Sequence, residues 1–491
     1  MSMESWLQTD FSGGLAERQV ASDFGENQSA AITGMVLDRP EVLRSQWHLA
    51  SPAIGHAIVD MGFTDDHLVF KNTLGDWYWA AEPALDAGGP LTATLLHSAP
   101  EQDVLGEIPF RLVGSTWVNA LMTNSVDRAG EAALYYDAAG TPVRFQFTDS
   151  YPTDGSADAM PRAAVSTMWG DYLLLGDIQW RQDPDVSFAA ANAQRYPHGL
   201  WFSKPGEPTR WEDDSVEFVG QASGDNNIVG MFPVDIGLIV VTTSAITVLR
   251  GGPTSHSFEQ LRRGVSPTSK DAVCWWPSLG IVAWVDHAGR VWHTDGREVK
   301  RLDGPLSDVD SGAGAVVVAQ DHHLLVSRGD IQYCLTMQVD GSGAWTVLSA
   351  NPATSRAVER PSGTWWLDGT TLRRWSPRWG ARGFLDVTAV TQTFRSQPVE
   401  IEDGHQNTWW HSFGVRATGG SAGGQLNGAA VFQDGTSVWS TGVVTPLSTL
   451  GSDVRWPAGG PARTFAVQLD LEGDVILDQL AIWFHGGQAR R

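Results

Sequence analysis

The chain has 491 residues, 56 acidic against 33 basic, and a formal net charge of −23. That length exceeds what one ordinary hydrophobic core absorbs. So negative a surface repels a phosphate backbone, which argues against sequence-specific nucleic-acid binding; its plainest role is solubility.

Two cysteines in a chain of this size exclude a disulfide framework. Cys274 and Cys334 both lie in strand-like runs, where buried thiols are expected. The opening Met1-Ser2-Met3-Glu4-Ser5-Trp6 has no basic segment or apolar run of a secretory signal. No apolar stretch approaches the roughly 20 residues that span a bilayer, so folding in a cytoplasm is expected. Tryptophan is abundant, 23 against 7 tyrosines; a wide indole suits the wedge between two stacked sheets. The 53 glycines and 25 prolines fit a chain made of turns, and helical periodicity is nearly absent.

Residues 1–52 carry few strand signals and isolated anchors: Phe11, Gly13, Gly14 and Leu15 near the start, Trp47 near the end. They predict an extended N-terminal arm used in subunit assembly, with Phe11, Leu15 and Trp47 packed against a neighbour or against the flank of the next domain.

From residue 53 short apolar runs separated by Gly, Asp and Pro turns recur at roughly 40-residue spacing, the signal of a β-propeller. One group contains Ala57–Asp60, His67–Phe70 and Trp77–Trp79. The next contains Phe110–Val113, Trp117–Leu121, Ala133–Tyr136 and Val143–Phe147. A third, Ala163–Val165, Tyr172–Leu175 and Leu200–Phe202, is interrupted by a polar insertion from Asp177 to Pro197 that predicts an exposed loop. Two units follow at 227–266 and 269–308, another spans Val316–Leu348, and a last one carries Thr364–Leu367 and Leu372–Trp375. The prediction is about seven blades over 53–383.

Beyond Arg382 the strands lengthen and alternate. The final pair, Thr464–Leu471 and Val475–Phe484, reads as two strands joined by the turn Glu472-Gly473-Asp474. Residues 384–491 therefore predict a separate C-terminal β-sandwich, and the chain as a whole is all-β.

Catalytic signatures are missing. The chain has no phosphate loop ending in Gly-Lys-Ser/Thr and no His-Glu-x-x-His. Asp308-x-Asp310-x-Gly312 lacks the remaining ligands of a calcium loop and reads as a turn. Asp321-His322-His323 reads as a strand whose neighbouring side chains point to opposite faces, so joint metal coordination is not expected. Asp340-Gly341-Ser342-Gly343-Ala344-Trp345-Thr346 resembles the structural Asp-box turn of sialidase-type propellers, with Trp345 packed between blades. No catalytic, cofactor or metal residue is assigned. The acidic pairs Asp183/Asp185 and Asp213/Asp214 read as loop residues.

The opening Phe11-Ser12-Gly13-Gly14-Leu15, with Asn27-Gln28 and Leu43-Arg44-Ser45 downstream, resembles the start of tail tubular and nozzle proteins of short-tailed bacteriophages. The phrase Leu200-Trp201-Phe202-Ser203-Lys204-Pro205-Gly206-Glu207-Pro208 and the strands that follow to Asp295-Gly296 are similar to packaged-DNA stabilisation proteins of that kind. The likeness covers roughly residues 10–50 and 195–350.

It implies a structural virion protein, not an enzyme: a homo-oligomeric ring, six-fold, at the end of a tail. Genomic DNA would pass without specific binding, and an adaptor, fibres or a needle would attach. No cofactor is implied. The acidic balance would then keep the duplex off the wall, with Asp183, Asp185, Asp213 and Asp214 as lumen candidates. Two other readings stay open: a tail-tip or baseplate protein that binds a receptor or glycan, and a glycan-active propeller enzyme.

Overall fold

The computed structural model describes residues 3–8, 29–33, 35–39, 42–45, 49–50, 53–82, 90–98, 103–110, 118–124, 133–146, 162–180, 194–220 and 226–302. It further describes 312–328, 331–337, 343–348, 354–360, 363–375, 392–396, 399–400, 408–432, 437–440, 445–446, 452–462 and 464–485. Regular structure among these residues is β, apart from a three-residue 3-10 turn at Lys270–Ala272.

Seven four-stranded antiparallel blades follow one another along the chain; six are separate sheets, and the sixth blade continues through Ser29–Thr33 into the C-terminal strands. From inner to outer strand, blade 1 is Ile58–Phe63, His67–Asn72, Asp76–Ala81 and Thr94–Ser98; blade 2 is Asp103–Phe110, Val118–Asn124, Ala133–Ala138 and Thr141–Gln146. Blade 3 is Arg162–Trp169, Tyr172–Trp180, Gln194–Lys204 and Glu207–Phe218; blade 4 is Ile228–Val234, Gly237–Thr242, Ala245–Gly252 and Ser255–Arg263. Blade 5 is Val273–Trp276, Ile281–Val285, Val291–Thr294 and Val299–Leu302; blade 6 is Val316–Gln320, His323–Arg328, Ile331–Met337 and Gly343–Leu348. Blade 7 takes three strands from its own stretch, Thr354–Arg360, Gly363–Asp368 and Thr371–Trp375. Its outer strand is Leu49–Ala50, paired through Ala50 with Arg374 and Leu49 with Trp375.

Each inner strand packs on the next, and that of blade 7 packs on that of blade 1, so the ring is closed. The fold is a seven-bladed β-propeller.

Period-two alternation explains why the second strands are unbroken apolar runs. Successive side chains point to opposite faces, and here both faces are buried. Leu238 and Val240 enter the core shared with blade 3, while Ile239 and Val241 enter the core shared with blade 5. In blade 7, Trp365 and Leu367 pack on blade 1 and Trp366 packs on blade 6.

Seven inter-blade cores result, each containing tryptophan: Trp77, then Trp201 with Trp211, Trp169, Trp284 with Trp292, Trp276 with Trp345, Trp366 and Trp365. Trp345 takes its expected place between blades 5 and 6.

The turn chemistry is clearest in blade 5. The Asp286 carboxylate accepts from the Arg290 N–H at 2.8 Å and from the Trp292 indole N–H at 2.8 Å. Gly289 follows with φ +78°, a conformation that other residues rarely adopt. One carboxylate thus fixes both the hairpin and its indole.

Outside the propeller, the expected two-strand hairpin at the C-terminus is one strand, Thr464–His485, which continues through 472–474. It pairs along much of its length with a second long strand, Thr408–Phe432, whose register breaks between Gly419 and Gly424. Both halves of Thr464–His485, through Phe465, Val467, Leu469 and Leu471 and then Val475, Leu477, Leu480 and Ile482, feed one core with Phe394, Phe413 and Trp456. These strands belong to one hydrogen-bonded sheet, which also takes in the four strands of blade 6.

N-terminal strands complete that sheet. Met3–Gln8 pairs with the last strand, Met3 opposite His485, and Val42–Ser45 pairs with the same strand at Leu477 and Ile476. Ser29–Thr33 pairs with Gln392–Ser396 and touches blade 6 through Thr33 and Val347. The strands of the expected arm therefore lie in the chain's own C-terminal sheet and in blade 7.

Candidate functional site: the axial channel

The inner strands enclose a cavity of about 460 Å³, to which six of the seven blades contribute. Arg356, near the start of the blade 7 inner strand, organises one mouth. Its Nε lies 2.8 Å from the Met61 carbonyl and 3.1 Å from Asp60 Oδ1, and its Nη1 lies 3.5 Å from Asp271 Oδ1. Asp60 in turn accepts from Met61 N at 3.0 Å and from Val104 N at 2.7 Å. Lys270 donates to the Val104 carbonyl at 2.7 Å. The 3-10 turn Lys270–Ala272 between blades 4 and 5 thereby reaches blades 2 and 7 across the ring and crosses this mouth. The flanking acids hold the Arg356 guanidinium above its usual range against the opposing effect of burial.

At the other end, Glu107 accepts from Phe63 N at 2.9 Å and from Asn119 Nδ2 at 3.3 Å, and burial raises its pKa above the ordinary carboxylate value. Arg360 binds Glu82 at 2.9 Å and the Asp65 carbonyl at 2.6 Å, with its guanidinium 4.9 Å over the Phe63 ring. Burial, aided by the like charge of Asp321, pushes Glu359 up to about 7. Burial beside Glu359 pushes the Cys274 thiol upward as well, so it stays protonated and is a poor nucleophile at neutral pH.

A second polar cluster joins blades 1 and 2. Asp137 accepts from Thr64 Oγ1 at 2.9 Å, pairs with His67 Nδ1 at 2.9 Å and accepts from Asp66 N at 2.8 Å. The hydroxyl and the imidazole both address the carboxylate. A nucleophile relay needs the imidazole between the other two.

Most of these bonds span a blade boundary, and two ion pairs, Arg356–Asp60 and Arg360–Glu82, join blade 7 to blade 1. That is the boundary where the last blade meets the first and the ring closes, and where the chain runs from the outer strand Leu49–Ala50 of blade 7 into blade 1. The arrangement can hold the ring shut.

The residues expected in the assembly arm, Phe11, Gly13, Gly14, Leu15 and Trp47, lie outside the described residues, as do Asp183, Asp185, Asp308, Asp310 and Asp340. Three expectations are corrected. Asp213 and Asp214 fall in the outer strand Glu207–Phe218 of blade 3, not in a loop. The supposed loop from Asp177 to Pro197 begins and ends as paired strand, and Asp177 is buried, bound by Arg195 at 2.9 and 2.7 Å. Asp321 and His322 form a turn rather than part of a strand, with only His323 entering the strand. No cluster of three or more metal-ligating side chains occurs among the described residues. The Arg356–Asp60–Asp271 cluster was missed because its members are far apart in sequence, Asp60 and Arg356 most of all, and only the alternation Arg356, Val358, Arg360 hints at an inner strand carrying charge.

No protein-family model matches the chain, and no curated protein sequence does. Solved structures with some likeness include the WD40 propeller domain of Doa1, at 8% identity and TM-score 0.39, covering 68% of this chain and 98% of that one. YCF48 from Cyanidioschyzon merolae has 12% identity and TM-score 0.42 over 68% and 99%. The computationally designed Ika8 protein has 12% identity and TM-score 0.38 over 68% and 100%. The assignment of the fold rests on the sheet order and ring closure above.

Proposed function

We propose that this chain is a structural subunit of a bacteriophage tail, assembling into a ring through which the genome leaves and to which other tail parts attach. The observation that carries the reading is the use made of the axial polar groups. Arg356, Asp60, Asp271, Lys270 and Arg360 bind one another and the backbone across blade boundaries, as a rigid scaffold requires. A cavity of about 460 Å³ crossed by a 3-10 turn has the size of a small-molecule pocket and is no conduit for a duplex. A genome channel would therefore lie between copies. The tail assignment itself comes from the resemblance of Phe11–Leu15 and Leu200–Pro208.

In that lumen the net charge of −23 acts by like-charge repulsion. A duplex carries one negative charge per roughly 1.7 Å of axis, so an attractive wall would hold it at many points and slow its passage. Purified protein is expected to show no measurable duplex binding at physiological salt. Tight, salt-sensitive binding would contradict a passive wall. Selective retention on a glycan array would favour the receptor-binding reading.

A further inference from the structure

We propose that the axial cavity is a binding site for a small organic cation, a protonated amine on an apolar body, with Glu359 as its counter-charge. The inference does not rest on the tail reading. At about 460 Å³ the cavity falls within the range of small-molecule pockets. The Lys270–Ala272 turn crosses one mouth, so a ligand would arrive from the end that carries Glu107 and Glu359.

The sign of the ligand follows from what is already paired. Of the charged side chains that line the cavity, Arg356 is held by Asp60 and Asp271, and Lys270 donates to the Val104 carbonyl at 2.7 Å. Glu107 accepts from Phe63 N and Asn119 Nδ2 and lies in the field of Arg360. Glu359 is the exception. Among the described residues no cation pairs with it; around it stand the Asp321 backbone N–H, the like-charged Asp321 carboxylate and the Cys274 thiol. A half-buried carboxyl in that setting is pushed up to about 7, and an ammonium group beside it would favour the ionised form.

The mouth gathers cations. In a closed ring of like-oriented blades, every turn from inner to second strand lies at the Glu359 end. Those turns carry Asp65, Asp66, Asp171, Asp235 and Asp321, all exposed, with no Lys or Arg among their described residues. A rim of one sign raises the local concentration of the opposite charge. Inside, Val165, Met231 and Val317 line the wall together with the rings of Phe232 and Trp275. Aliphatic walls suit a hydrocarbon body, and aromatic rings attract organic cations. A bare metal ion is served poorly, since no group of three ligating side chains occurs among the described residues.

The test is calorimetric titration of the full-length protein at neutral pH with three probes of one shape: benzylamine, the neutral benzyl alcohol and the anionic benzoate. Magnesium chloride is the inorganic control. Benzylamine is expected to bind saturably, benzyl alcohol about tenfold more weakly, and benzoate and magnesium not at all. Glu359→Gln keeps the shape of the side chain and removes its charge, and circular dichroism checks that the variant is folded. It should lose about tenfold in benzylamine affinity and bind the amine no better than the alcohol.

No benzylamine binding by the wild type would overturn the proposal, as would equal affinity of wild type and Glu359→Gln. Preferential binding of benzoate would mean that Arg356 and Lys270 face the ligand and that the site takes anions. Saturable magnesium binding lost in Glu359→Gln would make it a metal site instead.

Discussion

The propeller and the C-terminal sheet solve the same problem in opposite ways. In the propeller the second strands are buried on both faces, most strands pair with neighbours close in sequence, and the core is divided into seven indole-wedged compartments. In the C-terminal sheet two long strands carry most of the pairing around one core, and strands from the first 45 residues are added from the far end of the chain. Local pairing gives a repeat that tolerates local damage. Distant pairing makes the sheet depend on both chain ends. Among the described residues, blade 7 shares that dependence, taking Leu49–Ala50 as its outer strand, and blade 6 meets Ser29–Thr33 through Thr33 and Val347.

The largest effect should come from cutting the distant pairing. Deleting residues 1–50 removes the N-terminal strands of the C-terminal sheet together with the closing strand of blade 7. Thermal unfolding should lose its cooperative transition or shift by tens of degrees. Deleting 1–47 spares Leu49–Ala50 and should leave the propeller's transition while abolishing that of the C-terminal sheet. Equal behaviour of the two deletions would mean that the closing strand contributes little.

Next comes the seam between blades 7 and 1. Arg356→Ala leaves Asp60 buried without its cation and should cost about 3–5 kcal/mol in urea unfolding, the range for one partner of a buried pair. The double variant with Asp60→Ala should cost less than the sum of the two single changes. Additive effects would remove the seam from the account.

Within the compartments, Trp284→Ala, between blades 4 and 5, should cost about 3–5 kcal/mol as a large-to-small core change. Because the Arg356–Asp60 pair lies at a different boundary, the ring should stay closed, and the Arg356→Ala penalty should be undiminished in the Trp284→Ala background.

The smallest effect concerns Glu359. Its carboxyl is protonated in the folded chain up to about 7 but ionises near 4.5 when exposed, so wild-type stability should decline as pH rises through that window. Glu359→Gln should flatten the slope without lowering stability at acid pH. An unchanged slope would place the titration elsewhere.

These contrasts track what could be read from the residues. Blades were legible because a strand buried on both faces is a short apolar run, and Asp and Gly mark its turns, as Asp286 and Gly289 do. The inner strand of blade 2, Asp103–Phe110, was misplaced to Phe110–Val113 because Gly106, Glu107 and an irregular register between Val104 and Gly106 break its apolar run. Leu49–Ala50 was illegible: two residues have no periodicity, and their partner lies over 300 positions away. The polar turn at 472–474 read as a hairpin because continuation of a strand and reversal of a hairpin look alike without the partner strand. The clasp of Arg356, Asp60 and Asp271 carries no motif, since its geometry is set by ring closure and not by spacing.

Single-particle imaging of the purified full-length chain tests the central claim most directly. The account predicts a closed ring with a lumen between copies, each propeller axis blocked by the turn at Lys270–Ala272. Isolated propellers at every concentration, or a duplex-wide passage along a propeller axis, would contradict it.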